Sequence, residues 1–173
     1  RLSNYNGSAK LFYYIIVIYL SLNEIYDKKY YNFENINFLD YNIVGKNILI
    51  LTNQYFLYDI FYLTKIEYYI HHIITLFISN YCLYYEIYYN SILFVILIEI
   101  SSIFLQFKNL ITNNKIKKIN NFLFILTFLQ FRVILIPILI YYNKTHYDYL
   151  FFGSSFYLLN LYWVYNFSKK LIK

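Results

Sequence analysis

Five long apolar runs, each closed off by polar or charged clusters, constrain this chain more than any other feature. They are Asn47–Tyr62, extendable to Thr64; His71–Tyr89; Ser91–Phe107; Phe122–Tyr142; and Tyr149–Phe167. A sixth, Leu11–Leu22, is shorter and stops at Asn23 and Glu24; it spans only if Lys10 and Tyr26 sit at the two interfaces. Crossing about 30 Å of hydrocarbon takes about 20 mostly apolar residues in helical form. The runs do not alternate polar and apolar residues as barrel strands do over about ten residues. The chain therefore reads as an all-α polytopic transmembrane bundle with six spans, five at minimum, in a single domain covering 1–173.

Composition narrows the function classes. Charged residues make up 14% of the 173, about half the usual share for a soluble domain. Disorder needs low hydrophobicity and high net charge, and 60% of these residues are hydrophobic. The net charge of +6 is shared with long uncharged runs, so a nucleic-acid partner is not expected. The one cysteine, Cys82, lies inside an apolar run and excludes a disulfide scaffold. With 3 glycines, a phosphate-cradling loop has nothing to be built from. His71 and His72 are adjacent rather than four apart, and no metal site is expected. The 25 Tyr and 17 Phe accompany many Ile, Asn and Lys, the residues of A/T-rich codons, so no single Tyr carries much weight. The chain begins at Arg1 and has no Met, which suggests that residues before Arg1 are missing.

Lys and Arg in short loops set orientation. With six spans, one side holds Arg1, Lys10, Lys65, Lys108, Lys115, Lys117, Lys118, Lys169, Lys170 and Lys173. The other holds Lys28, Lys29, Lys46 and Lys144. Both termini are predicted to be cytoplasmic. The segments 23–46, 109–121 and 143–148 read as linkers. Asn143-Lys-Thr is a glycosylation sequon in a loop predicted to face the lumen.

Ionisable residues within spans are costly and mark functional sites by default. Asp59 lies in the second span, His71 and His72 open the third, Glu99 is central in the fourth and Arg132 in the fifth; Asn160 and Trp163 lie in the sixth. Spans of alternating direction bring these to one depth. Glu99, Ser102 and Gln106 follow i, i+3, i+7 and form one polar stripe. His71 and His72 point about 100° apart, so only one can aim straight into a central cavity. Plainer readings stand beside this: a structural Glu99–Arg132 pair, Asp59 bonded to a neighbouring helix, interfacial packing for the histidines, and a kink at Pro137.

The stretch Tyr69-Ile-His-His-Ile-Ile-Thr-Leu-Phe, then Leu97-Ile-Glu-Ile-Ser-Ser-Ile-Phe-Leu, resembles the TLC-domain family. So do Tyr58-Asp-Ile, Phe131-Arg-Val-Ile-Leu-Ile-Pro and Leu159-Asn-Leu-Tyr-Trp-Val before a basic tail. The resemblance covers about residues 48–170. The family includes ceramide synthases and the TRAM translocon-associated proteins, and the pattern is closest to its small TLC-domain-containing membrane proteins. In ceramide synthases the span after the His pair resembles Leu-His-Asp-x-Ser-Asp. Here Ile98-Glu99-Ile100-Ser101-Ser102 keeps one carboxylate and places Ser102 where the second would be.

The resemblance implies lipid handling: binding, sensing, transport or homeostasis, with membrane lipids, sphingolipids among them, as partners and the endoplasmic reticulum or another endomembrane as location. As an alternative it implies an acyltransferase with acyl-CoA as co-substrate and no other cofactor. His71 or His72 would then be base or transient acyl carrier and Asp59 or Glu99 its orienter. Arg132, with Ser102, Gln106, Asn160 and Trp163, would bind a lipid head group or the CoA phosphates. A third expectation is a non-catalytic subunit held to other membrane proteins.

Overall fold

The computed structural model describes residues 2–30, 33 and 36–171, without the side chains of 2–8, 109, 170 and 171. Arg1, Glu34 and Lys173 lie outside the described residues, as does the side chain of Lys170. Among the described residues there is no strand, and the helices form six rods. Rod α1 is Leu2–Asp27 and α2 is Ile43–Asp59, extended by a tight turn at Ile60–Tyr62. Rod α3 is Ile66–Tyr85. Rod α4 covers 89–110, from Tyr89–Val95 through a tight turn at Ile96–Ile98 to Glu99–Leu110. Rod α5 runs Asn114–Tyr142 and α6 Tyr147–Leu171.

Among the described residues two rods, Tyr89–Lys108 and Asn114–Tyr142, are long and apolar enough on their own to cross a membrane. In the others Tyr, Asn, Ser and His dilute the apolar residues, and α2 has only 17 residues. The short sixth run, Leu11–Leu22, is the middle of the 26-residue α1. Its buried face is Tyr14, Val17, Ile18 and Ser21, while Phe12, Ile15, Tyr19 and Leu22 are exposed. A helix apolar on both faces suits lipid on one side and protein on the other.

The rods alternate in direction. Lys10 near the start of α1 meets Asp59 at the end of α2, and Glu24 near the end of α1 meets Asn42 just before α2. Trp163, late in α6, meets His71, early in α3, so the first described turns of α1 and the last of α6 lie at one end, called the near end below. The interior holds nearly as many polar as apolar buried side chains, while Phe61, Ile66, Phe77 and Phe122 stand exposed on the outside. A water-soluble bundle distributes these the other way. Contiguous exposed apolar surface on this scale marks contact with something other than water.

Three boundaries differ from the hydropathy reading. The run His71–Tyr89 is broken: Glu86 (φ 55°) and Tyr88 (φ 64°) are left-handed, and the N–H groups of Glu86 and Ile87 both return to the Cys82 carbonyl. This cap ends α3 without a glycine. Segment 109–121 is mostly not a linker. Asn113 accepts from the N–H groups of Lys115 and Ile116, so the basic cluster Lys115–Lys118 forms the first turns of α5. Pro137 makes no simple kink. The seven residues Leu129–Leu135 before it are wound as a π-helix, which accommodates a residue that has no N–H to donate and crowds the preceding turn.

At the far end the described part of the α1–α2 connection packs against α4. Ile36 and Phe38 are buried with Leu93 and Phe94 of α4, and the Phe33 ring sits 5.0 Å from that of Phe94. Asn42 and Asn90 hold this cap. Asn42 Nδ2 donates to Glu24 and Asn90, each at 3.0 Å, and Asn90 Nδ2 donates to the Asn37 carbonyl at 2.8 Å. Beside them α2 approaches α4 so closely that a Cβ on Gly45 would collide with the Tyr89 carbonyl oxygen.

Candidate functional site

At the near end Asp59, 2% exposed, is held by groups from three helices. Lys10 Nζ of α1 lies 2.7 Å from Oδ1. His72 Nε2 of α3 lies 3.0 Å from Oδ2. Tyr55, one turn back on α2, donates to Oδ2 at 3.5 Å, and its hydroxyl is 3.2 Å from that of Tyr14. Pairing with a cation and hydrogen bonding to several donors is what makes a buried carboxylate tolerable.

His71 takes the other direction. Its ring is wrapped by aromatics: Trp163 at 5.2 Å, Phe156 at 5.4 Å and Phe56 at 5.8 Å between centroids. It is 6% exposed, and its Nδ1 has no hydrogen-bond partner. His71 lines a cavity of about 120 Å³ walled by α2, α3, α4, α5 and α6; His72 and Asp59 do not. Adjacent positions on a helix diverge by about 100°, so the two histidines serve two environments.

The cavity is a slot running parallel to the helices. His71, Phe56, Glu99 and Phe156 line its near part and Cys82, Tyr88 and Tyr149 its far part. The 11 residues between His71 and Cys82 correspond to about 16 Å of helix axis. Between these ends the wall is mainly aliphatic and aromatic, including Ile78, Ile92, Val95, Ile136 and Leu139.

Arg132, within the π-helical stretch of α5, ties three helices. Its Nε donates to Ser101 Oγ at 2.9 Å, Nη2 to Ser102 Oγ at 3.0 Å and Nη1 to Asn160 Oδ1 at 3.2 Å. Nη2 lies 3.6 Å from Glu99 Oε2. The guanidinium packs on the Trp163 and Phe128 rings at 5.5 and 5.4 Å. Each nitrogen of the guanidinium is engaged with protein. The geometry makes Arg132 a joint between α4, α5 and α6. Ser102 and Asn160 serve that joint, and Trp163 bridges it to His71.

The structure thus brings Asp59, His71, His72, Glu99, Ser102, Arg132, Asn160 and Trp163 into one connected zone. Gln106 stands apart, about 10 Å along α4 from Glu99 and half-buried. Sequence reasoning passed over Lys10, Tyr55, Tyr14 and Ser101. Lys10 was readable only as an interfacial residue beside a short run. Tyr55 stands four residues before Asp59, on one helix face, a signal masked by the abundance of tyrosine. Among the described residues no group of His, Cys, Asp or Glu has the arrangement of a metal site.

The sequon asparagine Asn143 is 2% exposed and donates through Nδ2 to the Leu139 carbonyl at 2.9 Å. It caps the end of α5 and is not presented to an enzyme.

The family model of the TLC domain matches residues 6–169, taking in α1 as well as the five later rods. No curated protein and no solved structure matches the chain.

Proposed function

Because this chain belongs to the TLC-domain family, an all-helical membrane family, we propose that it binds a membrane lipid as part of lipid homeostasis. The six rods carry the six spans, the near end is cytosolic, and the endoplasmic reticulum or another endomembrane is its place. One observation carries the reading: His71 lines the near part of an apolar slot, and its buried Nδ1 has no hydrogen-bond partner. A buried polar atom without a partner is costly. A ligand with a polar group at His71 and an aliphatic tail along the slot satisfies that nitrogen and fills the space.

The test is lipid retention. The protein is purified into phosphatidylcholine nanodiscs and its tightly held lipids identified by mass spectrometry, beside His71→Leu. Retention of one lipid class by wild type, lost in the variant, is the expected result. Equal retention by both sinks the role given to His71.

The presence of Glu99 on the same wall favours one second reading, acyl transfer. A His71 ring nitrogen attacks the thioester carbonyl of acyl-CoA; the acyl–nitrogen bond forms and the CoA thiolate leaves with a proton from solvent. An amine acceptor, such as a sphingoid base, then takes the acyl group and gives up its proton, regenerating neutral imidazole. Glu99 holds the imidazole while it is charged. Labelled product from acyl-CoA, absent in His71→Ala, is the outcome this reading requires.

A further inference from the structure

The hairpin that joins α4 to α5 at the near end carries four lysines with no acid beside them in the chain. Lys108 lies in the last turn of α4, and Lys115, Lys117 and Lys118 lie in the first turns of α5. The sequence has no Asp or Glu between Glu99 and Asp148. Lys108, Lys115 and Lys118 are exposed and Lys117 is half-buried. Among the described residues none of the four ammonium groups has an ion pair or a hydrogen bond, whereas Lys10 is held by Asp59 and Lys46 by Glu86. Glu99 is committed to Arg132, and Glu67 opens α3, a different rod. Cations are unfavourable at a helix N-terminus, whose free N–H groups are themselves positive. The start of α5 therefore adds to the charge of its lysines.

The packing gathers these charges at one level. Asn120 Nδ2 of α5 donates to the Phe104 carbonyl of α4 at 2.8 Å, which sets the register of the two antiparallel rods. Lys108 stands four residues on from Phe104 and Ile116 four before Asn120, so Lys108 is level with the α5 lysines across the seam. Lys115, Ile119 and Phe122 follow i, i+4, i+7 down one face of α5. Ile119 is 61% exposed and Phe122 65%. That face passes from cation to bare apolar side chains within about 10 Å of axis.

We propose that this hairpin binds anionic phospholipid of the leaflet at the near end. Phosphate groups sit among the four lysines, and acyl chains run along Ile119 and Phe122. Anionic leaflets attract basic segments at the ends of spans in this way. A soluble phosphate would engage the lysines and leave the apolar face uncovered. Neither His71 nor the slot takes part, so the inference needs only that the chain sits in a membrane.

The test reads lipid selection directly. The protein is reconstituted into phosphatidylcholine vesicles with spin-labelled phosphatidylserine or spin-labelled phosphatidylcholine. The immobilised fraction of each label gives their relative affinity, whichever way the protein is inserted. Wild type selects phosphatidylserine by about fivefold or more, the worth of one lysine near anionic head groups. Replacing Lys108, Lys115, Lys117 and Lys118 together by Gln abolishes the selection, and replacing all four by Arg preserves it. Lys28→Gln with Lys29→Gln, at the far end, preserves it too, as does His71→Leu. If the fourfold Gln variant does not fold, Lys115→Gln with Lys118→Gln decides, by at least halving the selection. Absence of selection in wild type, or an equal loss from the far-end pair, overturns the proposal. Displacement of labelled phosphatidylserine by inorganic phosphate, but not by chloride of equal ionic strength, overturns it in favour of a soluble phosphate.

Discussion

Asp59 Oδ2 and His72 Nε2 stand 3.0 Å apart, in a place where neither side chain reaches water freely. Lys10 completes the arrangement from α1 at 2.7 Å. Removing one member of a buried charge pair strands its partner, at a cost of about 3–5 kcal/mol. Asp59→Ala is therefore expected to lower stability in lipid by about that much, measured as the shift of the thermal unfolding midpoint. Lys10→Met combined with Asp59→Asn removes both charges and loses less than the sum of the two single changes. Additive losses count against the coupling.

Glu99 and Arg132 make a second, more constrained knot. Arg132 fills a fork with Ser101, Ser102 and Asn160, a shape that an ammonium does not reproduce. Arg132→Lys is expected to be nearly as damaging as Arg132→Met, each costing about 3–5 kcal/mol. Protease resistance in nanodiscs reports it; a lysine variant as stable as wild type contradicts the joint.

Gly45→Ala is expected to cost about 1–3 kcal/mol, the usual range for overpacking, because the new methyl meets the rigid Tyr89 backbone. An unchanged unfolding midpoint shows that α2 and α4 separate easily.

A pH dependence follows from Asp148, in the first turn of α6 ahead of the apolar segment. Burial pushes its carboxyl up, but hydrogen bonds from Tyr88, the Tyr149 backbone N–H and Tyr81 outweigh burial and hold it below the ordinary value. A lowered folded value means stability that is complete above the ordinary carboxylate range, about 3.9 for Asp. It is lost as pH falls through the folded value. The stability gap between wild type and Asp148→Asn should be widest near neutrality and narrow on acidification. A gap independent of pH removes the carboxylate from the account.

Asn143 should carry no glycan, because its amide is sealed into the end of α5. Treating the protein from eukaryotic membranes with a glycosidase should leave its mobility unchanged; a shift that Asn143→Gln abolishes shows that this cap opens.

The residues that lie together in the site were legible because charge inside an apolar run is conspicuous in any sequence. Asp59, His71, His72, Glu99 and Arg132 all stand out this way, and helices of alternating direction allow only a few depths. What hydropathy missed was backbone geometry. The left-handed pair Glu86 and Tyr88 breaks an unbroken apolar run, and nothing in residue type signals it. The winding at Leu129–Leu135 depends on Pro137 and on the packing around Arg132 together. Which histidine faces the slot was also beyond reach, since it depends on the rotation of α3 against α2 and α6. Lys10 was hidden because its carboxylate partner lies 49 residues away in sequence.

The wide turn at Leu129–Leu135 also governs helical phase. A stretch bonded i to i+5 carries one residue more than the α-helix it interrupts, and one residue is worth about 100° of rotation. Everything after it, including Ile136 and Leu139 on the slot wall, faces the bundle only because of that extra residue. Deleting any one residue in the stretch would turn those side chains to the outside and bring their neighbours in, with the composition of the helix barely altered. Insertions and deletions there are therefore frame errors in space, tolerated far less than substitutions at the same positions.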